Sequence, residues 1–363
     1  MKKLLFVIVC LLSFQVQAQN KQEQIQHIRK MYADAKEQIA QNGKNGMPPL
    51  DVKIMISDGT QVSEDFIINE DTELAFYFNK YRVNSDLDYP DASSCYFITE
   101  NFEAHGHLHY REILFDPNEG YLIFCYSRQE TDAGFVIESR YYYDAEGKLI
   151  DLKRKEGGSD VEPDADSQDA GVHEKAEAQF YLDVFELLMN AKEITSEPSR
   201  VKKPTTPKAD RLTSIRNTYT QAKQKIADND KSELPRDMKI VIRDQSWGPP
   251  ETTEMNFYFD ESVDSEGFNG NRCYFISNHR HHNNMGSDHY FEYLFAPQSH
   301  DLIFSYTCAR EEGEKYEWRY YYDENGKCIE VKTEAEDEDS GAADKAQVQR
   351  YLKIFNMLVN DSH

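Results

Sequence analysis

The sequence predicts an α+β fold, arranged as two tandem copies of a helix / antiparallel β-meander / helix domain. Three observations carry this: a long internal repeat, a helical apolar period opening each copy, and successive Tyr-, Phe-, Ile- and Val-rich segments separated by turn residues. In the repeat, Ile28-Arg29-x-x-Tyr32-x-x-Ala35-Lys36-x-x-Ile39-Ala40 returns as Ile215-Arg216-x-x-Tyr219-x-x-Ala222-Lys223-x-x-Ile226-Ala227. Cys95-Tyr96-Phe97-Ile98 returns as Cys273-Tyr274-Phe275-Ile276, and His109-Tyr110-x-Glu112-x-Leu114-Phe115-x-Pro117 as His289-Tyr290-x-Glu292-x-Leu294-Phe295-x-Pro297. Leu122-Ile123-Phe124 matches Leu302-Ile303-Phe304. Arg140-Tyr141-Tyr142-Tyr143-Asp144-x-x-Gly147-Lys148 matches Arg319-Tyr320-Tyr321-Tyr322-Asp323-x-x-Gly326-Lys327, and Tyr181-Leu182-x-x-Phe185-x-x-Leu188 matches Tyr351-Leu352-x-x-Phe355-x-x-Leu358. Order is kept throughout, in a repeat of about 150–170 residues, far longer than a solenoid unit.

The elements follow in chain order. Met1-Lys2-Lys3, the apolar run Leu4 to Phe14 and the Val16-Gln17-Ala18 box read as a cleaved signal peptide over 1–18. The expected domains are 19–192 and 210–363, joined by a Pro- and Lys-containing linker over 193–209. Ile25, Ile28, Tyr32, Ala35 and Ile39 stand at helical spacing, as do Leu212, Ile215, Tyr219, Ala222 and Ile226. Strands are expected near 51–57, 72–79, 94–101, 108–116, 120–127, 135–143 and 148–154. Asp144 to Gly147 and Asp323 to Gly326 form hairpin turns, with glycine at a positive-φ position. The acidic stretches Ser159 to Asp169 and Glu334 to Asp339 read as solvated loops, and a closing helix buries Tyr181, Leu182, Phe185 and Leu188. The helices are expected to cover one face of the sheet.

Composition narrows the function classes. The 363 residues hold 41 Lys+Arg against 65 Asp+Glu, a formal charge of −24, which argues against nucleic acid as a partner because phosphate recognition needs clustered cations. Twenty-three Tyr and 20 Phe supply too much apolar surface for a disordered chain. The first apolar run is too short to span a membrane, and no later segment is apolar for long enough. Export through the signal peptide implies the periplasm or the extracellular medium, an oxidising setting. Without Cys10 the cysteines are Cys95, Cys125, Cys273, Cys308 and Cys328, an odd set with no CxxC. Cys95 and Cys273 read as buried structural thiols, and a Cys308–Cys328 bridge is left open.

The Tyr-Tyr-Tyr-Asp-x-x-Gly-Lys hairpin behind a signal peptide resembles exported tandem-domain proteins of Gram-negative bacteria that carry no assigned activity. The paired helix-plus-sheet plan is also similar to tandem-domain secreted enzyme inhibitors. Neither resemblance implies a catalytic residue.

Polar residues that recur in both copies are the candidates for a site. On a strand, residues two apart share a face, so Glu138, Arg140 and Tyr142 point one way, and Glu317, Arg319 and Tyr321 do so in the second copy. The opposite face, with Tyr316, Trp318, Tyr320 and Tyr322, is expected to meet the helices. With Glu112 and Glu292, the six face residues form the candidate ligand surface. His105, His107 and His109 alternate as a metal tripod would, although only His109 has a counterpart, His289. A calcium loop starting at Asp164 fails, because Asp169 falls where the turn glycine is required. No G-x-S-x-G and no phosphate-cradling glycine loop occurs. The sequence therefore points to an exported, non-enzymatic binding or interaction protein with an unidentified protein or cell-envelope partner and no cofactor. The alternative is a hydrolase using Glu112 and Glu138 as paired carboxylates with Arg140 as an anion clamp.

Overall fold

The computed structural model describes residues 2–44, 49–63, 66–81, 92–104, 107–131, 133–189, 207–232, 235–244, 251–263, 269–282, 287–297, 299–311, 313–333 and 342–360. His105, most of the 193–209 linker and the acidic stretch Glu334 to Asp339 lie outside the described residues, as do the side chains of 1–20. The fold combines helices with a large antiparallel sheet, as the α+β reading requires. No helix among the described residues is long and apolar enough to cross a membrane.

Contacts divide the chain into two units. The first comprises 1–47, 76–79 and 94–182; the second comprises 48–75, 80–93 and 183–363.

In the first unit, α1 (Lys2–Gln41) is followed by β3 (Ala92–Ala104), β4 (His107–Phe115), β5 (Leu122–Glu130), β6 (Val136–Tyr143), β7 (Leu149–Glu156) and the short β8 (Ser159–Val161), then by most of α2 (Ala165–Met189). Successive strands are antiparallel neighbours. The i, i+3, i+4 spacing of α1 gathers Ile25, Ile28, Tyr32 and Ala35 on one stripe, which packs on Phe97, Leu114, Phe124 and Tyr142. Each fully buried isoleucine there contributes about 1.5–3 kcal/mol. Gly43, at φ 73°, ends the helix in the left-handed conformation that a Cβ disfavours.

The helix α2 lies on the opposite face. The Tyr143 hydroxyl donates to the Gly171 carbonyl at 2.7 Å, and a Cβ at Gly171 would stand 3.2 Å from the Tyr141 ring. The expectation that helices cover a single face is thus corrected: the apolar residues alternating along each strand suit two helices, one on either side. Only the Tyr141/Tyr143 side meets the closing helix, while Tyr142, on the supposed ligand face, is buried under α1. The loop expected over 159–169 is also corrected. Ser159–Val161 pairs with β7, and Asp164 caps α2 by accepting from the Ser167 amide at 2.8 Å and from its hydroxyl.

In the second unit, α3 (Lys208–Asn229) precedes β9 (Arg236–Asp244), β10 (Glu251–Val263), β11 (Asn269–His282), β12 (Ser287–Phe295), β13 (Leu302–Glu311), β14 (Glu314–Tyr322) and β15 (Cys328–Thr333). Then come α4 (Ala342–Phe355) and a π-helical turn over Asn356–Asn360. This unit also takes in β1 (Asp51–Ser63) and the start of β2 (Phe66–Tyr81). β1 pairs antiparallel with β9, setting Val52 opposite Ile242 and Ile54 opposite Ile240, and Arg243 clamps Asp51 at 2.7 and 2.5 Å. Leu212, Ile215, Ala222 and Ile226 of α3 cover Phe275, Leu294, Phe304 and Tyr321, while Tyr351 of α4 meets Phe257 and Tyr293.

The two glycine hairpins form as expected. Asp144 Oδ1 accepts from the amides of Glu146 and Lys148, Asp323 Oδ1 accepts from those of Asn325 and Lys327, and Gly147 and Gly326 sit at φ 71° and 70°.

Candidate functional site

The first unit carries a cavity of about 550 Å³ between α1 and strands β4 to β7, lined by Arg29, Tyr32, Glu112, Tyr126, Arg140 and Lys153 among others. Helical spacing builds one wall. Arg29, Tyr32 and Lys36 lie three and four residues apart and so share a flank of α1. From that flank Tyr32 donates to Glu112 Oε2, and Lys36 Nζ reaches Oε1 at 2.5 Å. Tyr110, two residues before Glu112 on β4, donates to the same Oε1 at 2.5 Å. Glu112 is 3% exposed, so both carboxylate oxygens are engaged by protein donors. Desolvation first and the hydrogen bond to Glu112 second push the phenols of Tyr32 and Tyr110 well above the usual range.

The rest of the wall is cationic and aromatic. The Arg140 guanidinium stands 5.2 Å over the Tyr126 ring, and that of Arg29 stands 5.8 Å over Tyr142. Arg29 also donates to the Tyr142 hydroxyl at 3.4 Å. Tyr126 donates to Glu138 at 3.0 Å, and burial with that bond pushes its phenol up to about 12. Glu138 meets Arg140 at 3.5 Å. On β7, Lys153 pairs in register with Arg140 and has no ion-pair partner among the described residues.

The second unit repeats the arrangement around a cavity of about 460 Å³ lined by Arg216, Tyr219, Glu292, Tyr306, Arg319 and Tyr321 among others. Tyr219 and Lys223 reach Glu292 at 2.5 and 3.0 Å, and Tyr290 does so at 2.7 Å. Arg216 and Arg319 lie 5.8 and 5.3 Å over Tyr321 and Tyr306. Tyr306 donates to Glu317 at 2.7 Å, and Arg319 to the same carboxylate at 3.0 Å. Hydrogen bonds from Lys315 and Tyr306 hold the Glu317 carboxyl near 2.

Six of the eight sequence candidates line the two cavities, Glu112, Arg140 and Tyr142 one, Glu292, Arg319 and Tyr321 the other, while Glu138 and Glu317 contact lining residues. Sequence reasoning placed Tyr32 and Tyr219 in the helical apolar period and took Arg29, Lys36, Arg216 and Lys223 only as part of the repeat. The signal was present in their recurrence as polar residues at i, i+3 and i+7 in both copies.

The histidines do not assemble a tripod among the described residues. His109 stacks on Phe102 with ring centroids 4.5 Å apart, and His107 lies two residues away on β4. His279 and His281 both face Asp288. No group of three or more His, Cys, Asp or Glu among the described residues is arranged to hold a metal. The cysteines Cys95, Cys125, Cys273, Cys308 and Cys328 are all free thiols, so the Cys308–Cys328 bridge is not formed.

The α2 face of the first unit is different in kind. Arg111, on β4, meets Glu100 at 2.6 Å, Glu174 at 2.9 Å and Glu177 at 2.6 Å, three carboxylates around one guanidinium. Tyr181 donates to Glu100, and the Cys125 thiol to Glu174 at 3.1 Å. Desolvation raises the carboxyls of Glu100 and Glu174 despite Arg111. In the second unit the positions matching Glu100, Glu177 and Arg111 are neutral: Asn278 and Gln347 donate to the Tyr351 hydroxyl at 2.7 and 2.5 Å, and Phe291 stands where Arg111 does.

The chain matches no protein-family model and no curated protein.

Proposed function

We propose that this chain is an exported, non-enzymatic binding protein built from a duplicated domain, and that each copy binds an anionic group in the cavity beneath its first helix. One observation carries the reading: each copy holds two arginines over tyrosine rings at a concave surface, in a chain of net charge −24. Stacking holds the guanidinium fork in place, so less side-chain entropy is lost when it grips a carboxylate or phosphate. The Tyr126 and Tyr306 rings offer a surface for a flat apolar part of the same ligand. Export rests on the signal-peptide reading of 1–18. Duplication rests on the ordered sequence repeat, supported by the recurrence of the same side-chain set. Two linked sites raise avidity through effective concentration when the partner presents two anionic groups.

The hydrolase alternative is not favoured. Glu112 already accepts three protein donors and is 3% exposed, so both of its oxygens are engaged and shielded from a substrate in the cavity. Its role here is to fasten α1 to the sheet.

The test is affinity capture of the mature chain in its native host with chemical cross-linking, wild type against the double variant Arg140→Ala, Arg319→Ala. A reproducible partner cross-linked beside α1 and α3, and lost in the double variant, is expected. Capture at the wild-type level in the double variant removes both cavities from the proposal.

A further inference from the structure

The second unit contains a further cavity, on the other side of α3 from Arg216. It has a volume of about 210 Å³ and lies beside the β12–β13 turn, lined by Arg272, Tyr274, Leu294, Phe295, Pro297 and His300 among others. His300 is the single non-glycine residue at positive φ, 61°, among the described residues. The same turn in the first unit carries Gly120 at φ 76°, and the two turns close alike, Gly120 N–H donating to Asp116 and His300 N–H to Ala296. Glycine adopts this conformation freely, whereas a residue with a Cβ does so at a cost. Strain retained at one side chain is a pointer to what that side chain does.

That side chain lines the cavity, and its Nε2 is buried with no hydrogen-bond partner among the described residues. Buried polar atoms are satisfied in the great majority of cases, so an orphan at the wall of a cavity marks where a ligand atom belongs. Arg272 lines the same cavity. It donates to the Pro297 carbonyl at 3.2 Å and makes no ion pair among the described residues. Lys225, also at the rim, is already committed to Asp260 at 2.5 Å and lies 4.6 Å over the Tyr274 ring. In the first unit the positions of Arg272, Lys225, Asp260 and His300 are Ser94, Gln38, Asn79 and Gly120. The ionisable set therefore belongs to the second copy alone.

We infer that this cavity is a separate binding site for a small arylcarboxylate, whose carboxylate bridges Arg272 and the His300 Nε2–H while its ring lies against Tyr274, Leu294 and Phe295. Size agrees, since a cavity of about 150 Å³ accepts benzene, and the larger volume here accommodates one ring with its carboxylate. Burial, with Arg272 second, holds the His300 imidazole below its ordinary value, so the ring is neutral at pH 7 and keeps one N–H to donate.

The probe is benzoate, titrated calorimetrically into the full mature chain, with the His300 imidazole signals followed by NMR. Saturable binding that moves the His300 signals is expected, with benzyl alcohol at least tenfold weaker. His300→Gly installs the residue that the first unit uses at the same φ, so it is not expected to unfold the turn. It and Arg272→Ser should each weaken benzoate at least tenfold. No saturable binding, or equal affinity in wild type, H300G and R272S, overturns the assignment. Binding lost in R319A but kept in R272S places the probe in the other cavity and overturns it as well.

Discussion

The three-carboxylate cluster on Arg111 gives the most discriminating test of the energetics. Glu100, Glu174 and Glu177 contact a guanidinium whose side chain is 15% exposed, and Glu100 and Glu174 side chains are 5% and 10% exposed. One positive charge therefore faces three negative ones in a poorly solvated place. The folded state holds protons on Glu100 and Glu174 more tightly than the unfolded chain does. A raised carboxyl contributes stability that is fully present below its unfolded value of 4.5 and is lost as pH rises through its folded value. Glu174→Gln keeps an acceptor for the Arg111 Nε–H and removes one charge, leaving Arg111 still paired. A shift of one unit is worth about 1.4 kcal/mol, and neutralising surplus buried charge is neutral to stabilising. The expected gain is about 1 kcal/mol at pH 7.5, near zero at pH 4.5, or about 2–4 °C in Tm. Both tryptophans, Trp247 and Trp318, lie in the second unit, so their fluorescence does not report on this cluster. The assay is hydrogen exchange of β3 and β4 amides at the two pH values, which reads the opening free energy of these strands. A variant that is less stable at pH 7.5, or a difference that does not change with pH, refutes the reasoning.

Other outcomes follow from the same geometry. Tyr32→Phe removes a donor to buried Glu112 and should cost about 1–3 kcal/mol by urea denaturation, with the same penalty for Tyr219→Phe at Glu292. Gly147→Ala and Gly326→Ala force a Cβ into φ near 70° and should each cost about 1–2 kcal/mol, measured as a fall in Tm. The Glu317 carboxyl should titrate near 2 by NMR, and Lys315→Met should move it up toward 4.5, because Lys315 is the first of its stabilising partners. Since that value is depressed, the stability Glu317 contributes is present above 4.5 and is lost as pH falls toward 2.

Much of the site was legible in the sequence once the two copies were compared. Glu112, Glu138, Arg140 and Tyr142 were selected because they recur and because alternation puts three of them on one strand face; Glu112, Arg140 and Tyr142 line one cavity, and Glu138 meets Arg140 and Tyr126 beside it. The helical members were missed because Arg29 and Lys36 flank the apolar stripe and Tyr32 belongs to it, and periodicity weighs the stripe for its packing. His300 was missed for the opposite reason: it matches nothing in the first copy, and only its backbone conformation gives it away.

By itself, the sequence determined the local elements. The stripes of α1 and α3, the alternating strands and the Asp-x-x-Gly hairpins all follow from contacts within a few residues, where spacing and turn chemistry suffice. Tertiary structure decided what those elements meet. Alternation tells which residues share a strand face but not which helix covers it, so burial of Tyr142 under α1 and of Tyr143 against α2 needed the assembled layers. The pairing of β1 with β9 joins residues nearly two hundred positions apart, through apolar matches such as Ile54 with Ile240 that any apolar strand would offer locally. Burial likewise makes Glu112 a link between helix and sheet, because its three donors come from α1 and β4 and converge only when the helix docks.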